Sequence, residues 1–589
     1  MEENIDKKPK KSLKKWLISH THLFLLPLLM VLFFTGASAY NYFAQADNYI
    51  KWGSPDENAN YVFSKLFAEE GQLSFFEKYN LYAADIIHPR SFRSDNGSLK
   101  PVSFLGIILI YGTLAKVLRT AAIPFFTPAI AALGLLFYFL FIKNVFGKKV
   151  AIISTALLSF FPVYIYYSAR SMFHNVLFTV FLIVSLYFIT LLKKVSRSNH
   201  FWRLSVNGKF AWSWAWAALA GSFAGLALLT RTSELIWFLP VLFLIWVFNI
   251  KRLGLTRLII FISFLFLSLL PMLYWNQILY GSVLQGGYTE INRSLAAVSS
   301  SFNSGAEHVG NQIWQSFNKF IFYFGFHPYE SAKAFYYYFV KMFPWLFAGA
   351  ILGFLLLVFK IRKWQKRHYL YILCLLVLSA ILILYYGSWQ FNDNPDPKSF
   401  TIGNSYTRYW LPIYLGFIPL VAFFISRFSQ FILGWLKPGS GKNFSAFLVR
   451  LAIVSLIAIS SIMFVSFGSE EGLVYTYYKF RATKYEYQQV LANTKENSVI
   501  VTEYHDKVLF PERKVIQGLL TDPNMNFYYA RLAERLPVYY YNFSFPPKDM
   551  DYLNSRLLAN VGLNIKLVKE ISSDFSLYEL YKLPPIEIE

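Results

Sequence analysis

Long apolar runs, joined by connections of which alternate ones carry almost wholly positive charge, leave this chain few architectures to choose from. Eleven runs are read as membrane spans: 17–39, 121–142, 150–167, 176–192, 211–229, 235–248, 258–279, 343–359, 369–386, 410–425 and 447–467. A sequence of 589 residues that is 56% hydrophobic and 20% aromatic, with a mean hydropathy of +0.39, is too apolar for a soluble globular protein. The expected fold class is a polytopic α-helical membrane protein of about eleven spans.

The distribution of charge sets the expected orientation. Residues 1–16, 143–149, 193–209, 251–257, 360–367 and 427–450 carry 26 of the 56 Lys and Arg but only three of the 33 acids, and so the whole net charge of +23. The rest of the chain is neutral. An excess of Lys and Arg marks cytoplasmic loops, so these segments are expected inside, and nucleic acid is not implied as a partner. Cys374 is the one cysteine and lies in an apolar run, so no intrachain disulfide is available.

Residues 1–16 are read as a basic cytoplasmic tail and residues 17–467 as the transmembrane domain, with a first outer loop at 40–101. A signal peptide competes at the N-terminus, with Ala37, Ser38 and Ala39 as its cleavage triplet. The run at 17–39 is nonetheless long enough to cross the bilayer, which favours an uncleaved span. Between 102 and 142 only one of two apolar stretches can cross without placing later basic segments on the wrong side. The shorter one, 102–118, ends in Lys116 and Arg119 and is read as lying in the outer leaflet. Residues 468–589 are more polar and are expected to form a small mixed α/β domain outside, with strands near 498–501, 564–568 and 575–580 and a helix near 526–536.

The candidate chemistry starts in the first outer loop, in GSPDENANYVFSKLFAEEG. Ser54 and Glu57 have capping-box spacing, Pro55 suits the first helical position and Gly71 is a stop. Glu57 is thus accounted for by the cap. Asp56 is not, although an acid in a first turn gains from the helix dipole. The same loop ends with His88, Arg90, Arg93, Asp95 and Lys100. Snorkelling to lipid phosphates explains any one outer cation, but several near a carboxylate suit a reaction whose leaving group is a phosphate. Further candidates are Arg170 and His174 in YYSARSMFHN, Arg231 with Glu234 in LLTRTSELIW, and Arg408 in NSYTRYWLP. Arg231 and Glu234, three apart, also read as a structural ion pair, and Arg408 as an interfacial anchor beside Tyr409 and Trp410.

An Asp-Glu pair in the first outer loop (Asp56, Glu57), a Lys-Pro closing that loop (Lys100, Pro101) and many spans before a C-terminal outer domain resemble the GT-C glycosyltransferases. The closest likeness is to the family 39 branch of protein O-mannosyltransferases and aminoarabinose transferases. It covers roughly residues 17–467. Val102 stands where the family motif has a second proline, and the second outer loop lacks the acid such enzymes often bear. The resemblance implies an inverting glycosyltransferase of the plasma (inner) membrane and cell envelope, with its N-terminus cytoplasmic and its C-terminal domain extracytoplasmic. Such an enzyme moves a sugar from a polyprenyl-phosphate donor to a hydroxyl on a lipid, glycan or protein. Asp56 would be the base beside Glu57, and Lys100, Arg90, Arg93, His88, Arg170, His174, Arg231 and Arg408 would bind substrate. No cofactor is assigned; a divalent metal stays open as an alternative, for which the second outer loop supplies no second acidic ligand. The alternative reading is a transporter or flippase of lipid-linked sugars. Asn-x-Ser sequons stand at Asn96, Asn292 and Asn542 in regions read as outer, and carry little meaning without the source organism.

Overall fold

The computed structural model describes every residue except 1–12, 46–48, 193–207, 287–324, 360–363, 392, 395–398, 436–441, 469 and 583–589. Most of the basic tail and the Asn292 sequon therefore lie outside the described residues. Eight described helices are long and apolar enough to cross a membrane: Leu23–Ala44, Thr120–Phe146, His174–Leu191, Ser213–Thr230, Gly254–Tyr280, Lys366–Gly387, Leu411–Ile432 and Phe444–Phe467. Two bent pairs, Lys148–Ser159 with Pro162–Arg170 and Pro328–Lys341 with Pro344–Val358, raise the number to ten. A proline opens the second half of each pair; it lacks an N–H and crowds the preceding turn, so the chain bends there, by 52° and 94°.

The span expected at 235–248 is a shorter apolar helix, Leu235–Phe248, of 14 residues, which continues the turn Thr232–Glu234. Leu105–Leu118, read from the sequence as not crossing, has the same length. It is clamped at two glycines. A Cβ on Gly106 would come within 2.4 Å of the Leu229 carbonyl, and one on Gly112 within 2.6 Å of the Phe67 ring. This short helix thereby fixes Pro55–Glu70 against the end of the bundle.

Tyrosine hydroxyls buried between helices donate to backbone carbonyls: Tyr164 to Ala131, Tyr138 to Leu415 and Tyr414 to Tyr338. Without water, a hydroxyl at that depth needs such a partner. Helices Gly254–Tyr280 and Phe444–Phe467 instead leave most of their apolar surface uncovered, including Ile259, Phe266, Leu270, Leu456 and Ile459, as lipid-facing helices do.

The C-terminal part opens with helix Leu473–Ala492 and folds into a five-stranded sheet. Its order is Lys514–Gln517, Val499–Thr502, Val538–Phe543, Phe575–Lys582, Leu563–Glu570; the first three strands are parallel and the last two antiparallel. Both faces are covered. Val499, Val501 and Tyr540 pack on one side, and Ile500, Val515 and Tyr541 on the other. This sheet is joined directly to the first loop, where Phe75–Phe76, Ser98–Pro101 and Phe92–Asp95 form a small antiparallel sheet. Phe510 lies against Phe75 and Phe92, Lys51 pairs with Glu512 at 2.9 Å, Lys514 pairs with Glu77 at 3.3 Å, and His88 bridges to Ile516.

Candidate active site

Helix Pro55–Glu70 begins as its sequence dictates. Glu57 accepts the Ser54 N–H at 2.9 Å, and Gly71 closes the helix at φ 72°. Two successive carboxylates then diverge. Glu57 is fully buried and takes the Arg170 guanidinium at 2.6 Å. Burial pushes its carboxyl above the ordinary carboxylate range, against the pull of Arg170. Asp56 is half-buried, accepts the Ser91 hydroxyl at 2.5 Å, and makes no ion pair among the described residues.

Arg170 ends the bent pair that Pro162 creates, and from it a row of cations crosses this end of the bundle. The Phe173 ring carries Arg170 at 5.1 Å and Arg408 at 4.8 Å, and the Tyr409 ring carries Arg408 at 5.0 Å and Arg231 at 4.6 Å. The two outer members are neutralised. Arg170 has Glu57; Arg231 has Glu234 at 2.8 Å, a pair closed by Tyr386, which donates to Glu234 at 2.7 Å and accepts from Arg231 at 3.0 Å. The central member is not. Arg408 makes no ion pair among the described residues: it donates to the Ser405 hydroxyl at 2.8 Å, and its Nε is buried without a partner. Asp56 and Asp393 act on it through space. An open acceptor thus lies within the field of an open cation.

Of the residues singled out in the sequence, Asp56, Glu57, Arg170, Arg231 and Arg408 gather here. His174 joins them at the Phe104 ring, edge-on at 5.7 Å, with Nε2 at 3.1 Å from the Ser103 hydroxyl; Arg231 lies over the same ring at 5.6 Å. The other four sit elsewhere. Arg93 and Lys100 flank Asp95 at 2.7 Å each, on paired strands, and Lys100 also donates to the Leu279 carbonyl at 2.6 Å. Arg90 reaches Asp506 in the C-terminal sheet region, and His88 lies at that junction, where burial lowers its pKa.

One cation went unnoticed in the sequence. Lys507 follows Asp506, makes no hydrogen bond or ion pair among the described residues, and feels Arg90, Asp506, Lys479 and Glu57. Burial, reinforced by Arg90, lowers its pKa to about 8. Nothing around a lone lysine in YHDKVL marks it; the signal exists only once Arg90 binds Asp506. Tyr386 and Phe173, which help order the arginines, were likewise lost among 41 Tyr and 60 Phe, and Tyr409 stood out only as an interfacial neighbour of Arg408.

Beside this cluster lies an apolar cavity of about 770 Å³, lined at one end by Ser103, Phe104 and Thr232 and extending along Leu235, Leu239, Phe261 and Leu265. Phe104 is shared by the cavity wall and the Arg231 stack. Among the described residues no three His, Cys, Asp or Glu side chains converge.

Neither a protein-family model nor a curated protein sequence matches the chain. Its fold does have solved counterparts. The oligosaccharyltransferase of Archaeoglobus fulgidus, tethered to an acceptor peptide containing an NVT sequon, superposes with a TM-score of 0.51 at 13% identity, over 90% of this chain and 70% of that one. The same organism's AglB, in complex with an inhibitory peptide and a dolichol-phosphate, gives 0.50 at 11%, over 92% and 71%. ArnT from Cupriavidus metallidurans, bound to undecaprenyl phosphate, gives 0.49 at 11%, over 95% and 98%. At these identities the likeness is one of fold. The chain is a polytopic helical membrane protein with a small C-terminal mixed sheet and a GT-C-like fold.

Proposed function

We propose that this chain is an inverting glycosyltransferase that moves a sugar from a polyprenyl-phosphate donor to an acceptor hydroxyl at the outer membrane face. The observation that carries the reading is the adjacency of the apolar cavity, the uncompensated Arg408 and the open carboxylate of Asp56. A prenyl chain suits the cavity. Its phosphate then meets Arg231 and Arg408 where the cavity ends at Phe104, and guanidinium groups match phosphate oxygens in charge and geometry. The dolichol-phosphate held by the structurally similar AglB supports a donor of this kind.

In this reading the acceptor oxygen attacks the anomeric carbon from the face opposite the phosphate. A new carbon–oxygen bond forms, the sugar–phosphate bond breaks, and both its electrons leave with the polyprenyl phosphate. Asp56 receives the acceptor's proton, while Arg408 and Arg231 stabilise the charge that grows on the leaving phosphate. Glu57 is consumed by Arg170, so its role is to hold that cation and start the helix rather than to take a proton. Lys100, with its two protein partners, steadies the end of the loop.

The test is Asp56→Asn, assayed with membranes or nanodiscs containing a lipid-linked sugar and a hydroxyl acceptor. Folding and donor binding are expected to survive, while transfer falls ~100-fold or more, the scale for losing a general base. Transfer at the wild-type rate would refute the assignment of Asp56.

A further inference from the structure

A second cavity lies at the opposite end of the bundle. Three helices connect the two ends. Thr120–Phe146 starts beside the arginine row, where Thr127 accepts and donates hydrogen bonds around Ser171; His174–Leu191 starts at His174; Lys366–Gly387 ends at Tyr386, the partner of Arg231. Their far ends supply Lys143, Thr190 and Lys366 to this cavity. Counted between these residues along the helices, the mouth of this cavity lies roughly 24–30 Å from the arginine row, and its inner wall reaches Thr179 and Trp237.

This cavity has a volume of about 1070 Å³ and two distinct zones. Its mouth holds Lys143, Lys366 and Arg367 together with Asn144, Asn249 and Gln365, and among the described residues no Asp or Glu lines it. Lys143 and Lys366 make no ion pair among the described residues; Lys366 rests 6.0 Å over the Phe248 ring, and Arg367 donates to the Asn144 carbonyl. Deeper walls are aliphatic and aromatic, among them Leu182, Ile183, Leu186, Val241 and Leu375.

We propose that this cavity is a separate lipid site that takes an anionic glycerophospholipid, its phosphate among Lys143, Lys366 and Arg367 and a chain between the helices. Three cations without an acid leave nothing to receive the ammonium of a zwitterionic headgroup. A free hydrophilic anion gains from the mouth but leaves the aliphatic walls empty. Only a ligand that is anionic at one end and apolar at the other satisfies both zones, which is how basic pockets between membrane helices recognise acidic headgroups. The cavity is on the side that the charge pattern assigns to the cytoplasm. The proposal does not depend on the glycosyltransferase reading.

The chain carries its own probe, since Cys374 lines this cavity and is the one cysteine of the sequence. The experiment measures the rate of thiol alkylation of the full-length protein in nanodiscs of phosphatidylcholine, with or without phosphatidylglycerol. Phosphatidylglycerol is expected to slow alkylation. The exposed pair Lys143→Gln/Lys366→Gln should need roughly tenfold more of it for the same protection, and Lys143→Arg/Lys366→Arg should behave as wild type. Inorganic phosphate added to phosphatidylcholine discs should not protect. Equal rates in the two lipids, undiminished protection in the Gln pair, or protection by inorganic phosphate alone would each overturn the proposal. Native mass spectrometry of the protein extracted from mixed membranes supplies a second readout: the wild type retains a phosphatidylglycerol that the Gln pair loses, and equal retention would count against the site.

Discussion

Asp506 binds Arg90 three ways: it accepts the backbone N–H at 2.7 Å and the guanidinium at 2.6 Å through Nη2 and 3.1 Å through Nε. Asp506 is fully buried. Arg90→Met leaves that carboxylate with one of its partners, and breaking a buried pair costs about 3–5 kcal/mol. The expected outcome is a lower melting temperature and faster proteolysis of the C-terminal sheet, checked by thermal unfolding and limited trypsin digestion. Because Ser91 follows Arg90 and holds Asp56, transfer activity should fall as well.

Arg408 and Lys100 separate two ways of binding a phosphate. Charge-assisted hydrogen bonds are worth about 1.5–3 kcal/mol each, so Arg408→Gln should weaken donor binding by roughly 10- to 150-fold. Lys100→Met, whose lysine already serves Asp95 and Leu279, should change it much less. Titration of a lipid-linked sugar into nanodisc-embedded variants measures both. A larger loss in Lys100→Met would relocate the phosphate to the hairpin.

Glu57→Gln probes a structural carboxylate one residue from the proposed base. It leaves Arg170 buried and charged without its counterion, at a cost of about 3–5 kcal/mol. Stability should drop far more than in Asp56→Asn, whose carboxylate is half-buried. Chemical unfolding of the two variants side by side gives the comparison.

Lys507 predicts a pH dependence with a definite sign. Its pKa in the folded protein is about 8, against an ordinary lysine value near 10.4. Between these values the unfolded chain binds more protons, so this group makes stability rise with pH over that window; below pH 8 its buried charge is a constant cost. Any attraction it exerts on an anionic substrate runs the other way and is lost above pH 8. Donor affinity should therefore show a basic limb near pH 8 that Lys507→Met abolishes.

The helix Leu105–Leu118 is expected not to cross the membrane. In a chain with Cys374 replaced by Ser, cysteines at the exposed positions Asn96 and Ala121 should label with the same impermeant reagent from the same side. Opposite-side labelling would make that helix a span.

Periodicity and hydropathy were enough to find the spans, because a helix in lipid must satisfy its own backbone and carry apolar side chains over a fixed length. The cap of Pro55–Glu70 was legible too, being a local pattern of four residues. Strands Lys514–Gln517 and Val538–Phe543 were not legible, because a strand buried on both faces loses the alternation that marks it. Nor was the division of labour among the charges. Asp56 and Glu57 are neighbours in sequence, and nothing local says that one meets Arg170 from 113 residues away while the other meets Ser91. Whether a cation is paired or open depends on which acid long-range packing brings beside it. That is why Arg408 stands unpaired among the described residues, Lys100 does not, and Lys507 of the C-terminal part borders the first loop.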